Sequence, residues 1–268
     1  MLNLSAIRSD YRVQVLDRTF AILAALAESK QLLGPTELGK KLNLNKSTVH
    51  RLLNVLEQHR FVERDLESSK YRLGLKLAEL GNIAFPHIDF LEAAKPFVTQ
   101  LAETTGEAAH LGVLSGDEIV SVLHSTRNCD IHAASTVGRR SPFHCTSLGK
   151  AILAFHADAD DLIRVHRFIP FTRKTIRGSG EFRTELQKIR SRGLATDDEE
   201  FKEGLRCIGA PVRDGTDRVI AALSIAGPLS RITSRTSPHL AQAVIAAANR
   251  LSESMRGLSV NQGDRSSF

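Results

Sequence analysis

Lys46, Ser47, Thr48, His50 and Arg51 crowd into the stretch NLNKSTVHRLLNVLEQ, residues 43–58. They offer ammonium, hydroxyl, imidazole and guanidinium groups within two helical turns. Such groups hydrogen-bond base edges in a DNA groove and pair with phosphate oxygens. A second set lies a hundred residues further on. Cys145 follows His144, and SLGKA, residues 147–151, holds a Gly-Lys pair. Cys145 as a nucleophile with a histidine base would be enzyme chemistry. Adjacent residues on a strand face opposite sides, so His144 cannot be that base, and no GxSxG elbow surrounds Cys145. SLGKA is no phosphate loop either: the earlier glycine is missing and Ala151 follows Lys150. The ten histidines, among them His110, His124, His132 and His144, show neither HExxH nor a CxxC partner. No metal site and no cofactor are therefore expected. SLGKA does offer a helix start at Ser147, Leu148 and Gly149, whose backbone N–H groups suit a carboxylate; an ordinary structural helix start remains the alternative.

The elements needed to position the first set are legible. Val49, Leu52, Leu53 and Leu56 recur at helical spacing and make one apolar stripe behind the polar groups. Asn45 is expected to cap this helix with its side chain. Before it, GPTELGKKLN reads as a two-turn helix opened by Pro35 and bearing Thr36. VQVLDRTFAILAALAES reads as an amphipathic helix with Val15, Leu16, Phe20, Leu23 and Leu26 inward. Only NLN separates the second and third helices, so the turn is tight. FVER and YRLG follow as a small hairpin carrying Arg64, Lys70 and Arg72, suited to phosphate contact. Three helices and a hairpin make a winged helix-turn-helix. A three-helix core with ordinary solvated faces is the alternative.

The whole chain is compatible with this. Its 268 residues suit two domains, and 42% hydrophobic and 25% charged residues are ordinary for a soluble globular protein. Residues 1–75 carry 12 Lys/Arg against 8 Asp/Glu, and the remainder carries 24 against 22. Most of the net charge of +6 therefore sits in the first quarter, which points to a polyanion. No stretch approaches 18 consecutive apolar residues, and the N-terminus lacks a secretory pattern. Three cysteines without CxxC spacing fit a reducing compartment; a cytoplasmic location is expected.

Past residue 75 the pattern changes. A helical stretch interrupted by Pro86 reads as a linker. DFLEAAKPFVTQLAETTG reads as a helix with Asp89 as cap, Gly106 past its end, and a kink or restart at Pro96. AAHLGVLSGDEIVSVLHST reads as two strands about Ser115-Gly116-Asp117, and CDIHAAST as another. SLGKAILAFH and SGEFRTELQKIRSRG read as helices. LATDDEEF, RCIGAPVRDG and DRVIAALSIAGP read as strands, and a long helix closes the domain at Gly257. The fold class is α+β, an antiparallel sheet with helices on its faces.

VLDRTFAILAAL, LGPTELGKKLNLNKSTVHRLLNVLEQHRFVERD and KYRLGLKLAELG resemble the winged-helix domain of the IclR family of bacterial transcriptional regulators. The resemblance extends through GRRSPFHCTSLGKAILA, GLATDDEEFKEGLRCIGAPVRD and IAALSIAGPLSRI, over roughly residues 13 to 257. It departs at Arg213, where the family usually has an aromatic or a histidine. The resemblance implies a DNA-binding domain over 1–75, a linker helix over 76–88, a GAF-like effector-binding domain over 89–257 and a flexible tail over 258–268. It implies that Ser47, Thr48, His50 and Arg51 sit on the DNA-reading helix; Thr36, Lys46, Arg64, Lys70 and Arg72 complete the expected DNA-binding set. It implies a pocket for a small organic acid formed by Ser147, Leu148, Gly149, Asp197, Leu205, Cys207 and Ser224, with His132 or Ala133 from the strand CDIHAAST. By their residue types alone, Asp197 is a surface acid in DDEE and Cys207 a small buried hydrophobe. The expected protein is no enzyme. It is a homodimer, or a dimer of dimers, on double-stranded operator DNA with half-sites about 34 Å apart or a multiple. An enzyme, or a protein-interaction module, with a basic appendage is the alternative.

Overall fold

The computed structural model describes residues 13–29, 31–84, 88–126 and 137–263. The chain divides into two compact units, residues 1–88 and 89–268.

The first unit contains α1 (Gln14–Glu28), α2 (Pro35–Leu42), α3 (Lys46–Gln58), β1 (Val62–Arg64), β2 (Tyr71–Leu73) and α4 (Lys76–Ala84). Its core is Ile22, Ala25 and Leu26 from α1, Leu38 from α2, Val49, Leu53 and Leu56 from α3, and Val62 and Tyr71 from the hairpin. The α3 stripe packs as its spacing predicts. The α1 stripe does not: Val15, Leu16 and Phe20 are 50–61% exposed, and Ile22 and Ala25 take the buried positions beside Leu26. Apolar residues nearly encircle this helix, so periodicity alone could not choose the inward face. Asn45 does precede α3, but its side chain makes no capping bond. Its carbonyl accepts from the Thr48 and Val49 N–H groups at 2.9 and 3.1 Å instead. The helix-turn-helix corner is a backbone construction. Asn43 adopts φ 53°, and the Leu44 N–H donates to the Gly39 carbonyl at 2.9 Å. A Cβ at Gly39 would lie 2.8 Å from the Leu44 carbonyl oxygen, so glycine allows the corner to close.

The second unit begins with α5 (Ile88–Thr105), followed by β3 (Ala108–Ser115), β4 (Glu118–Ser125), β5 (Arg140–Pro142), α6 (Ser147–Leu153), α7 (Ala159–Val165), α8 (Ser179–Arg192), β6 (Ala195–Asp198), β7 (Leu205–Arg213), β8 (Val219–Pro228) and α9 (Ser237–Gly263). The strands form one antiparallel sheet in the order β5-β4-β3-β8-β7-β6. One face, with Leu111, Ile208, Leu223 and Ile225, packs on Phe90, Val98 and Leu101 of α5 and on Val244, Ala248 and Leu251 of α9. The other face meets α6, α7 and α8 through Ile152, Leu153, Ile163, Phe182, Leu186 and Ile189. The fold is α+β, as the sequence indicates.

Several boundaries differ from expectation. Asp89 is the second residue of α5 rather than its cap, and the helix runs through Pro96 without a break. The helix α9 continues past Gly257 to Gly263, so the chain is helical over the first part of the expected tail. Short α7 and β5 had no sequence signal strong enough to read. The strand expected at CDIHAAST lies outside the described residues, as do His132 and Ala133.

Helix α6 lies close against its surroundings because glycines face it. A Cβ at Gly149 would stand 2.3 Å from the Cα and carbonyl oxygen of Phe143. At Gly209 it would meet the Ser147 backbone at 3.1 Å, and at Gly112 the Leu148 side chain at 2.9 Å. Backbone atoms cannot turn aside as side-chain ends can. Gly149→Ala is expected to destabilise the second unit by roughly 3 kcal/mol or more, at the upper end of overpacking costs. Urea denaturation measures this, and a loss within experimental error would contradict the packing described.

Candidate functional sites

The polar side of α3 is open and unengaged. Lys46, Ser47, His50 and Arg51 are exposed, Thr48 is half-buried, and Thr36 is exposed in the first turn of α2. No hydrogen bond or ion pair among the described residues engages the side chains of Lys46, Ser47, His50 or Arg51. A helix face with this many unused donors, backed by Val49, Leu53 and Leu56, has its polar groups available for another molecule.

The wing differs. Arg72 pairs with Glu63 across the hairpin at 3.0 Å, and Lys70 with Glu37 of α2 at 2.8 Å. Arg64 donates to the Ser69 hydroxyl at 2.9 Å and meets no carboxylate among the described residues. From sequence, Arg64, Lys70 and Arg72 are all suited to phosphate contact. Strand register and the approach of α2 spend two of them on acids, which a pattern along one chain segment cannot disclose.

The second site is a cavity of about 140 Å³ between the sheet and the start of α6. Six of the residues singled out in sequence line it: Ser147, Leu148, Asp197, Leu205, Cys207 and Ser224. Gly149 is not among the lining residues; it seats α6 on Phe143. Strand register explains the assembly. Asp197 of β6 stands opposite Cys207 of β7, Cys207 opposite Ala226 of β8, and Ser224 of β8 opposite His110 of β3. The same sheet face therefore delivers side chains from four strands to one space. The wall also includes His110, Ile119, Ser121, Arg139, Phe201 and Lys202, which sequence reasoning did not assign to it. A histidine inside the apolar strand AAHLGVL was the available signal for His110. Arg139 and Lys202 come from outside the strands, so no periodicity marks them.

Asp197 is the buried acid of the site, 1% exposed. Its Oδ1 accepts from the Glu200 and Phe201 N–H groups at 2.8 and 3.3 Å. It therefore shapes the turn that carries Phe201 and Lys202. Burial pushes its carboxyl up to about 7, against the lowering effect of the Glu200 N–H, with the nearby Glu200 charge pushing the same way as burial. Beside it, Lys150 is 1% exposed and donates to Glu200 Oε1 and the Thr196 carbonyl, both at 2.5 Å. Burial and the Asp197 charge hold the Cys207 thiol well above its usual range. Burial likewise pushes up Cys145, the opposite of an activated nucleophile. His144 bonds His166 at 2.8 Å and the Ile169 carbonyl at 3.1 Å and is engaged away from Cys145. Arg213, where the sequence departs from the resemblance, stacks over Phe155 at 4.6 Å and does not line the cavity. No cluster of metal-ligand type occurs among the described residues. No helix among them is long and apolar enough to cross a membrane.

A winged helix-turn-helix, joined in one chain to an α+β unit with a cavity between its sheet and α6, defines a DNA-binding transcriptional regulator. The chain belongs to the IclR family. Residues 15–66 match the IclR helix-turn-helix domain, and residues 83–253 match the C-terminal domain of bacterial transcriptional regulators of the IclR type. Relatives include the HTH-type transcriptional regulator XynR of Escherichia coli, 36% identical over 82% of this chain and 88% of that protein. The Thermotoga maritima IclR crystal structure superposes with a TM-score of 0.77 at 27% identity, covering 91% of this chain and all of that one. An IclR homologue from Microbacterium hydrocarbonoxydans, solved with 4-hydroxybenzoate, has the same fold, with TM-score 0.77, 21% identity, and coverage of 91% and 99%.

The Asp197 carboxyl gives a pH signature. Its folded-state value lies above the ordinary carboxylate range, so its contribution to stability is complete at pH below about 4. That contribution falls as the pH rises towards 7. Asp197→Asn keeps an oxygen for the Glu200 and Phe201 N–H groups but cannot ionise. The variant is expected to gain thermal stability relative to the parent between pH 5 and 8. A difference in Tm that does not change over that interval would contradict the assignment.

Proposed function

We propose that this regulator reads a specific operator with α3 and responds to a small organic carboxylate held in the cavity of its second unit. The observation that carries the proposal is the joint one: an unengaged polar face on α3, and a cavity combining a buried acid, hydroxyls, apolar walls and two cations. Lys46, Ser47, Thr48, His50 and Arg51 lie in the major groove, with Thr36 alongside and the wing residues at the backbone. Arg64 is the wing cation best placed for phosphate, since Lys70 and Arg72 already have acidic partners. In the cavity, Arg139 and Lys202 offset the charge of a carboxylate, together with the N–H groups at Ser147 and Leu148. Ile119, Leu148 and Leu205 hold its apolar body. The 4-hydroxybenzoate complex of the Microbacterium homologue supports a ligand of this class. A homodimer, or a dimer of dimers, on successive grooves is part of the proposal. The apolar residues left exposed on α1, Val15, Leu16 and Phe20, with Val13 just before it, support self-association. The reading places the protein in the cytoplasm, where operator and metabolite are both available.

Two measurements test this. In gel-shift titrations against the DNA upstream of its own operon, Arg51→Ala is expected to weaken sequence-specific binding about tenfold or more, as loss of a base-reading side chain does. Arg72→Ala is expected to weaken it less, because the Glu63 pair already neutralises that side chain. Equal losses, or no specific binding at low salt, would reject the interface. In thermal-shift screening of carboxylates that includes 4-hydroxybenzoate, an acid that fits is expected to raise Tm by mass action. Leu148→Trp is expected to fill the cavity and abolish that shift without weakening operator binding by the effector-free protein. Retention of the shift would place the ligand elsewhere.

A further inference from the structure

His110 makes no hydrogen bond to any described residue. It sits on β3, between His124 of β4 and Ser224 of β8, and is 6% exposed. Its ring stacks on His124 at 6.0 Å with an interplanar angle of 18°. Its Nδ1 is buried without a hydrogen-bond partner, and no group among the described residues bonds its other nitrogen. Buried polar atoms are almost always satisfied, and the unsatisfied ones cluster where a ligand or water completes them. The ring lines the cavity. Since neither nitrogen is bonded, it can turn about Cβ–Cγ without breaking a hydrogen bond and present whichever nitrogen an incoming group meets.

The chemistry of the missing partner follows. Burial, with His124 and Arg139 nearby, holds the ring neutral at physiological pH, its pKa lowered to about 4. A neutral imidazole has one N–H and one lone pair. Its N–H can donate to a carboxylate or to a hydroxyl, but its lone pair needs a donor that an ionised carboxylate lacks; a hydroxyl both donates and accepts and so suits either tautomer. Ser121 and Ser224 lie on the same wall and extend the hydroxyl-binding surface, while Arg139 and Lys202 supply the charge for an acid.

Building on the effector reading above, we propose that His110 is the specificity-determining residue of the cavity and selects hydroxylated carboxylic acids over their unhydroxylated counterparts. Its role is to complete its own unmet hydrogen bond with the ligand hydroxyl. A ligand without that hydroxyl leaves the imidazole buried and unpaired, which penalises binding.

The test uses matched acids on the intact chain: 3-hydroxybutyrate against butyrate, and 4-hydroxyphenylacetate against phenylacetate, by calorimetry and thermal shift. The parent is expected to bind the hydroxylated member of at least one pair about tenfold more tightly. His110→Phe keeps a flat ring and removes both nitrogens; it is expected to bring the ratio near one while retaining affinity for the unhydroxylated acid. His110→Leu serves if the larger ring prevents folding, as judged by the ligand-free melting curve. His110→Asn, with an amide donor and acceptor, is expected to restore part of the preference. A parent that binds acids without discrimination, or a preference that survives in both apolar variants, overturns the role of His110 and leaves the effector reading standing. If no acid of either pair binds the parent, and the wider carboxylate screen is equally silent, the effector reading fails and this inference falls with it.

Discussion

An ammonium shut away from water fixes the second unit. Lys150 is 1% exposed, and a buried cation must be paired or it destabilises the fold by several kcal/mol. Its partners are Glu200 and the Thr196 carbonyl, on either side of Asp197. The pairing therefore ties α6 to the end of β6 and to the turn that follows. Asp197 then bonds the backbone of that turn, and Thr175 adds a bond to the Glu200 carbonyl at 2.5 Å. Helix, strand and turn are three walls of one cavity, and their spacing is set by this charge pair. Glycines at 112, 149 and 209 let the helix come close enough for the pair to form.

What the sequence disclosed, and what it withheld, follows from the range of each interaction. The stripe Val49, Leu52, Leu53, Leu56 and the apolar runs along β3, β7 and β8 are local, and they gave the elements and the α+β class directly. The lining by Ser147, Asp197, Cys207 and Ser224 came from family resemblance; composition alone would have left Asp197 on the surface in its acidic run. The inward face of α1 was misjudged because Leu16 and Phe20 are as apolar as the residues that pack. The α5 helix absorbs Pro96, where the sequence suggested a kink or restart. The pairs Lys70–Glu37 and Arg72–Glu63, and the burial of His110, depend on elements meeting across the fold, and no spacing encodes them.

The two sites use polarity in opposite ways. On α3 the polar groups stay in water, where leaving them without a protein partner costs nothing. In the cavity the acid is sequestered, and Asp197 is held by the Glu200 and Phe201 N–H groups. Asp197 illustrates the constraint: one oxygen is spent on two backbone N–H groups, so its first duty is to the turn. A ligand that engages its other oxygen touches the scaffold as well as the pocket.

The unengaged face of α3 has an evolutionary consequence. Lys46, Ser47, His50 and Arg51 add nothing to the packing of the first unit, which rests on Val49, Leu53, Leu56 and the backbone corner at Asn43. Substitution on that face is therefore almost free of folding cost. A lineage could exchange its target genes by drift at a handful of surface positions while keeping the same second unit, and a laboratory could redirect it the same way.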